Sequence, residues 1–248
     1  MTRFSRAPDA PPLVWGHRGA SADALENTLT AFQLARTQGA DGVELDVTRC
    51  RSGEVVVFHD DDLRRLGGRP DRVRDLGWDE LRHVDLGGGE SMPLLDDVLA
   101  ELGTLYVNIE LKTAPTWPER IVDDGLAAQV AALIAHHDAK ERVLVSSFDP
   151  LLLGRFRLRA PDVATGLLFA HDQALPNREA WSAALLQPTA LHPEGMLVDA
   201  RAVRRWHARG YAVNVWTVDD PAELRLLSAL GVDGVITNRP AATRAVIQ

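Results

Sequence analysis

The sequence predicts one closed (β/α)₈ barrel, and three observations carry that reading. The chain has 248 residues, and such a barrel typically takes about 250. Short apolar runs alternate with longer amphipathic stretches in about eight units, and strands separated by helices form a parallel sheet with right-handed crossovers. The composition, 46% hydrophobic and 25% charged, is that of an ordinary globular domain, and no linker divides it.

The elements follow in order. Residues 1–12 hold charges and prolines but no apolar core, so they read as a flexible arm ahead of a single domain over 13–248. Residues 13–16 predict the first strand. Residues 27–38 predict a helix, with Leu29, Phe32, Leu34 and Ala35 on its apolar stripe and Gly39 as a left-handed C-cap. Residues 43–47 predict a strand, and 55–58 a second β segment close behind it. Residues 60–92 break the rhythm. They contain Gly67-Gly68 and Gly87-Gly88-Gly89, many charges and little periodicity, which suggests an inserted lid or cap without regular structure. Strands are then expected at 105–111, 143–146, 163–168, a short one ending at Leu191, 211–216 and 234–237. Helices are expected at 119–136, 151–159, weakly at 178–185, then at 200–208 and 221–230. One internal echo supports the repeat: Gly39-Ala40-Asp41-Gly42-Val43 recurs as Gly231-Val232-Asp233-Gly234-Val235, each time between an amphipathic helix and a strand.

The net charge of −8 argues against a nucleic-acid partner, which needs a basic face to displace counterions. The single cysteine, Cys50, excludes an intramolecular disulfide framework and a four-cysteine zinc site. No apolar run is long enough for stable membrane insertion, and with no signal-like segment the expected address is the cytoplasm. A monomer or a homodimer is expected.

Candidate chemistry begins in the second strand, Val43-Glu44-Leu45-Asp46-Val47. Period-two alternation puts Glu44 and Asp46 on one face and the apolar residues on the other. The apolar set suits the helix layer, so the carboxylates point into the barrel, where a divalent cation would relieve their repulsion. The alternative is the acidic face of a solvated edge strand. The next strand repeats the pattern, with Asn108, Glu110 and Lys112 on one face. Glu44, Asp46 and Glu110 together make a hard-oxygen set suited to Mg²⁺ or Ca²⁺. Lys112 is one of only two lysines against 25 arginines, which asks for a specific role. His17 and His59 each follow a predicted strand, which puts both at the C-terminal mouth where barrel active sites lie. Arg18 adds a cation beside His17. His192 closes another strand and is a further candidate for the mouth, and the remaining histidines read as surface residues.

In these motifs the chain resembles the glycerophosphodiester phosphodiesterases of the TIM-barrel type. The matching residues are Gly16-His17-Arg18-Gly19 with Glu26-Asn27-Thr28, Glu44-Leu45-Asp46, His59-Asp60 and Pro93-Leu94-Leu95. Further on come Glu110-Leu111-Lys112, Ser146-Ser147-Phe148, Val215-Trp216-Thr217-Val218 and the closing run from Gly231 to Thr237. The similarity runs over about 13–240, and the insertion matches the family's small subdomain over the mouth. Two positions depart from the pattern: Arg65-Leu66 stands where the family often has Thr after an Arg, and Asn238 where it often has Asp.

The resemblance implies hydrolysis of a small glycerophosphodiester to sn-glycerol 3-phosphate and an alcohol. A metal on Glu44, Asp46 and Glu110 would neutralise phosphoryl charge, with Arg18 and Lys112 as substrate-binding cations. His17 and His59 would serve as acid and base, in either order. The glycerol 2-hydroxyl is implied as first nucleophile, giving a cyclic phosphate that water opens. Phe148 and Trp216 are candidates to pack on the glycerol chain. Two other readings stand beside this one. A phosphodiesterase of lysophospholipids or phosphoinositide-like diesters would be marked by an exposed apolar rim on the insertion. A non-catalytic binding barrel would be marked by loss of a histidine or carboxylate, and none is lost.

Overall fold

Alternation along the strands sets the layers of the molecule. The computed structural model describes residues 4–7 and 10–247. Its strands are β1 (Leu13–His17), β2 (Gly42–Arg49), β3 (Val55–Val57), β4 (Asp85–Gly87), β5 (Glu90–Ser91), β6 (Tyr106–Leu111), β7 (Val143–Ser147), β8 (Ala164–Phe169), β9 (Ala190–Pro193), β10 (Ala212–Val215) and β11 (Gly234–Thr237). Eight of them pair in parallel in the order β1-β2-β6-β7-β8-β9-β10-β11, and β11 pairs with β1 to close the barrel. Val43, Leu45 and Val47 face outward with Val107, Ile109, Leu111, Val143 and Val145. They form one buried cluster with Phe32, Val98, Leu126, Val130 and Phe156 of the surrounding helices. On the other side Val213, Val215 and Val235 pack against Trp206, Leu224 and Leu227.

The inward-facing residues divide by height. At the N-terminal end Trp15, Leu144, Ala190 and Ala212 form an apolar plug with Phe4. Phe4 is fully buried, with its ring 6.1 Å from Trp15 and 5.4 Å from Tyr106. The expected flexible arm therefore does not hold at this residue, because an aromatic ring has been drawn under the barrel floor. Gly42 leaves room for the plug: a Cβ there would lie 2.7 Å from the Trp15 ring. The sequence echo is explained at the same end. Asp41 accepts the Val14 N–H (2.8 Å) and Asp233 accepts the Val213 N–H (2.8 Å), each satisfying a backbone donor at the start of the preceding barrel strand.

Four expectations are corrected. The segment 55–58 is not a barrel stave: β3 runs antiparallel to β2, with Val47 opposite Val57, outside the closed sheet. The helix expected at 119–136 is two helices, Trp117–Ile121 and Leu126–His136. Asp123 and Asp124 accept the backbone N–H groups of Gly125 and Leu126, and Gly125 takes φ +84°, which stops one helix and restarts another. The helix expected at 178–185 is replaced by single turns at Leu175–Arg178 and Ala183–Leu186. The insertion has regular structure and its own core: Val56, Phe58, Leu63, Val73, Leu76, Leu81, Val84, Leu86 and Met92 bury one another, and β4 and β5 form a hairpin. Among the described residues no helix is long and apolar enough to cross a membrane.

Candidate active site

Register brings the acidic residues together. In the β2–β6 ladder Glu44 is opposite Asn108 and Asp46 is opposite Glu110; His17 is opposite Glu44 across β1–β2. Carboxylate oxygens of Glu44, Asp46 and Glu110 lie within 4.8 Å of one another, all three residues buried. These are hard oxygen donors held close together, and their mutual repulsion is the conflict a divalent cation resolves, so the donor set fits a bound Mg²⁺ or Ca²⁺.

The cations beside this cluster do not neutralise it evenly. Burial, with repulsion from Asp46 and Glu110, pushes the Glu44 carboxyl well above the usual carboxylate range. Burial opposes ionisation of Asp46 too, but Lys112 and Arg18 outweigh it and hold that group below its ordinary value. Glu110 is raised by burial, partly offset by Lys112. The Lys112 Nζ lies 3.0 Å from Glu110 Oε1 and 3.4 Å from Asp46 Oδ1, so it bridges two of the three acids.

The turn after β1 supplies the next groups. Arg18 has φ +54°, which turns its backbone N–H onto Glu44 Oε2 at 3.0 Å. Its side chain reaches Glu26 (2.8 Å) and Asp46 (3.3 Å). Gly19 is required here: it has φ +87°, and a Cβ would sit 2.6 Å from the Ala31 backbone. Asn27 is not the first residue of a helix as expected. The helix is Leu29–Thr37 with Thr28 as its N-cap. Asn27 takes φ +57° and clasps Asp46, donating from Nδ2 to Oδ2 (2.9 Å) and accepting the Asp46 N–H at Oδ1 (3.3 Å).

The two histidines reach the mouth by different routes. His17 ends β1; its Nδ1 is 2.7 Å from Asn238 Oδ1 and its Nε2 is 4.0 Å from Glu44. Burial and the Arg18 charge lower its pKa. His59 arrives because the β2–β3 hairpin doubles back: the Phe58 N–H donates to Asp46 O at 2.9 Å, bringing the next residue down to the carboxylates. It therefore does not sit at the end of a barrel stave. His59 Nδ1 is 2.6 Å from Asp60 Oδ1, and Arg65 binds both Asp60 and Glu26. The departure at Arg65 thus ties the insertion to the β1 turn.

His17, Arg18, Glu44, His59, Glu110 and Lys112 line one cavity of about 130 Å³ together with Phe148 and Trp216. The two aromatic rings meet edge to face, 5.4 Å apart. His192 does not reach this mouth: it is 1% exposed, its Nε2 lies 3.2 Å from Asn214 Nδ2, and burial lowers its pKa to about 3. Sequence reasoning assigned no role to Asn27, Asp60 or Arg65, although Asn27 and Asp60 stand in the matched motifs and Arg65 at a departure from them. Asn27 carried a further signal, as an Asn just before an N-cap Thr, since Asn is enriched among left-handed residues.

A parallel eight-stranded barrel with buried carboxylates, two histidines and two cations at its C-terminal mouth is a hydrolase framework able to act on an anionic substrate. The sequence pattern of the Glycerophosphoryl diester phosphodiesterase family matches residues 17–242, and the chain belongs to that family, a family of enzymes. It is 32% identical over 238 residues to the glycerophosphodiester phosphodiesterase of Caldanaerobacter subterraneus subsp. tengcongensis, covering 92% of this chain and 94% of that protein. Among solved structures it is similar to the glycerophosphodiester phosphodiesterase of Thermotoga maritima (30% identity, TM-score 0.78, 95% of this chain and 98% of that one). It is also similar to an Oleispira antarctica phosphodiesterase in complex with the product sn-glycerol-3-phosphate (26% identity, TM-score 0.86, 96% and 97% of the two chains).

Proposed function

We propose that the protein hydrolyses small glycerophosphodiesters to sn-glycerol 3-phosphate and an alcohol, with a divalent metal and the His17–His59 pair. The observation that carries this reading is one cavity lined by Glu44, Glu110, two histidines and two cations, with the buried Asp46 carboxylate clustered beside the other two. Glu44, Asp46 and Glu110 hold Mg²⁺ or Ca²⁺, which when bound supplies charge neutralisation at the phosphoryl oxygens. Arg18 and Lys112 orient the phosphodiester. The glycerol 2-hydroxyl attacks phosphorus as the P–O bond to the alcohol breaks, one histidine taking the proton of that hydroxyl and the other delivering one to the departing alkoxide, and water then opens the cyclic phosphate to sn-glycerol 3-phosphate. Phe148 and Trp216 wall the cavity and pack against the glycerol carbons. The insertion, anchored through Arg65 to Glu26, serves as the cap.

Lysophospholipid-like substrates are the weaker reading. No large apolar side chain of residues 60–92 is exposed among the described residues, so the insertion has no apolar rim. The test is an assay of the released head-group alcohol over a panel of glycerophosphodiesters and lysophospholipids, with and without EDTA, and of sn-glycerol 3-phosphate for the small diesters. Turnover of the small diesters that EDTA abolishes and Mg²⁺ or Ca²⁺ restores is expected. Full turnover after exhaustive chelation, or turnover of lysophospholipids alone, would overturn the proposal.

A further inference from the structure

His17 can use only one of its ring nitrogens on a substrate, and a chain of side chains behind it determines which. Asn238 follows β11 and faces His17 with Oδ1, 2.7 Å from Nδ1. An amide offers an acceptor on one side and a donor on the other, so its orientation decides what the imidazole meets. Ser21 does not decide it: its hydroxyl lies 2.8 Å from Asn238 Oδ1 but can donate or accept. Asp219 does. Its Oδ2 lies 2.6 Å from Asn238 Nδ2, and an ionised carboxylate only accepts. Asp219 is itself anchored, since its Oδ1 accepts from the Asn238 backbone N–H (2.8 Å) and from the Thr237 hydroxyl (2.8 Å). With Nδ2 committed to Asp219, Oδ1 must face His17, and Nδ1 must carry the hydrogen. Nε2, on the Glu44 side of the ring, is then the free nitrogen.

We propose that Asn238, locked in orientation by Asp219, is a positioning residue that holds His17 in its Nδ1–H tautomer and presents Nε2 to the reacting groups. A carboxylate at position 238 would accept from Nδ1 directly and would need no orienting partner. With Asn in that place, Asp219 does the orienting. The inference rests on the proposed role of His17 in the chemistry.

The test combines tautomer and turnover. Imidazole ¹⁵N and ¹³C NMR of the uniformly labelled protein, without substrate, identifies the His17 signals by their absence in His17→Ala. The wild type is expected to show Nδ1–H and unprotonated Nε2. Asn238→Ala should mix the tautomers and lower kcat on the order of 10–100-fold with little change in KM, the usual cost of removing the group that orients a working imidazole. Asn238→Asp combined with Asp219→Asn, which exchanges acceptor and donor without setting two carboxylates in contact, should restore both. Asp219→Asn, which allows the amide to turn, should shift His17 toward Nε2–H while leaving the His59 signals in place. An Nε2–H tautomer in the wild type, or an unchanged tautomer in both Asn238→Ala and Asp219→Asn, overturns the relay whatever the kinetics. A shifted tautomer with unchanged kcat overturns instead the catalytic role of His17, and the positioning role with it. Should Asn238→Ala not fold, the wild-type spectrum, Asp219→Asn and the double exchange decide the question alone.

Discussion

The two ends of the barrel interior are built from the same alternating strands and solve opposite problems. At the floor, Phe4, Trp15, Tyr106 and Leu144 exclude water and bury carbon against carbon. At the mouth, the next inward residues of neighbouring strands are Glu44, Asp46, Glu110 and His17, and burial works against their ionised forms. The floor lowers the free energy of the fold, whereas the mouth spends part of that gain to keep charged groups close together. Four further inward residues, Asn108, Ser146, His192 and Asn214, are polar and buried.

The comparison breaks most visibly at the mouth. Glu44→Ala or Asp46→Ala should lower kcat/KM by about 10³-fold or more, as loss of charge stabilisation in a closed site does. In EDTA, Glu44→Gln should melt at or above the wild-type temperature, because it removes a repelled carboxylate. Added Mg²⁺ or Ca²⁺ should raise the wild-type melting temperature more than that of the variant. Differential scanning calorimetry with and without metal reads both effects, and a Glu44→Gln protein much less stable than wild type in EDTA would contradict the account of the mouth.

The floor should behave in reverse. Phe4→Ala removes a fully buried ring and should cost about 3–5 kcal/mol in urea unfolding, with kcat/KM unchanged at temperatures where the variant is folded.

Lys112 tests how finely the mouth is fitted. Its ammonium bridges Glu110 and Asp46, and a guanidinium is wider and demands planar fork geometry. Lys112→Arg should keep the fold and lose activity nearly as severely as Lys112→Ala, on the order of 10²-fold. An Arg enzyme with most of the wild-type kcat/KM would leave Lys112 as a generic ion-pair partner.

The smallest effect tests a buried polar residue outside the mouth cavity. His192 is held neutral to about pH 3 in the folded protein, below the ordinary histidine value near 6.5. The unfolded chain therefore binds the extra proton first, so stability falls as pH drops from about 6.5 toward 3, by up to about 1.4 kcal/mol per pH unit. Urea unfolding at pH 7 and pH 5 should show this difference reduced in His192→Asn.

The barrel, the carboxylate trio and Lys112 were legible in the sequence because alternation and strand adjacency are local rules. Glu44 and Asp46 are two residues apart, and a parallel neighbour with the same alternation had to bring Glu110 beside them. His59 was placed correctly for an incorrect reason: a strand-end histidine was expected, whereas an antiparallel hairpin returns it to the mouth. The insertion looked irregular because its core is assembled from residues spread between Val56 and Met92 without a helical or strand period.

Strand order, inward faces and acidic chemistry were thus determined by the sequence alone, through period-two alternation and the right-handed crossover of parallel strands. Tertiary structure decided the rest. Phe4 becomes part of the floor only when the barrel closes above it. Asn27 becomes a clasp on Asp46 only through its left-handed backbone, and Asn238 meets His17 across 221 positions of chain. These contacts depend on hydrogen-bond direction and on closure of the β1–β11 seam, and neither leaves a periodic trace in the order of residues.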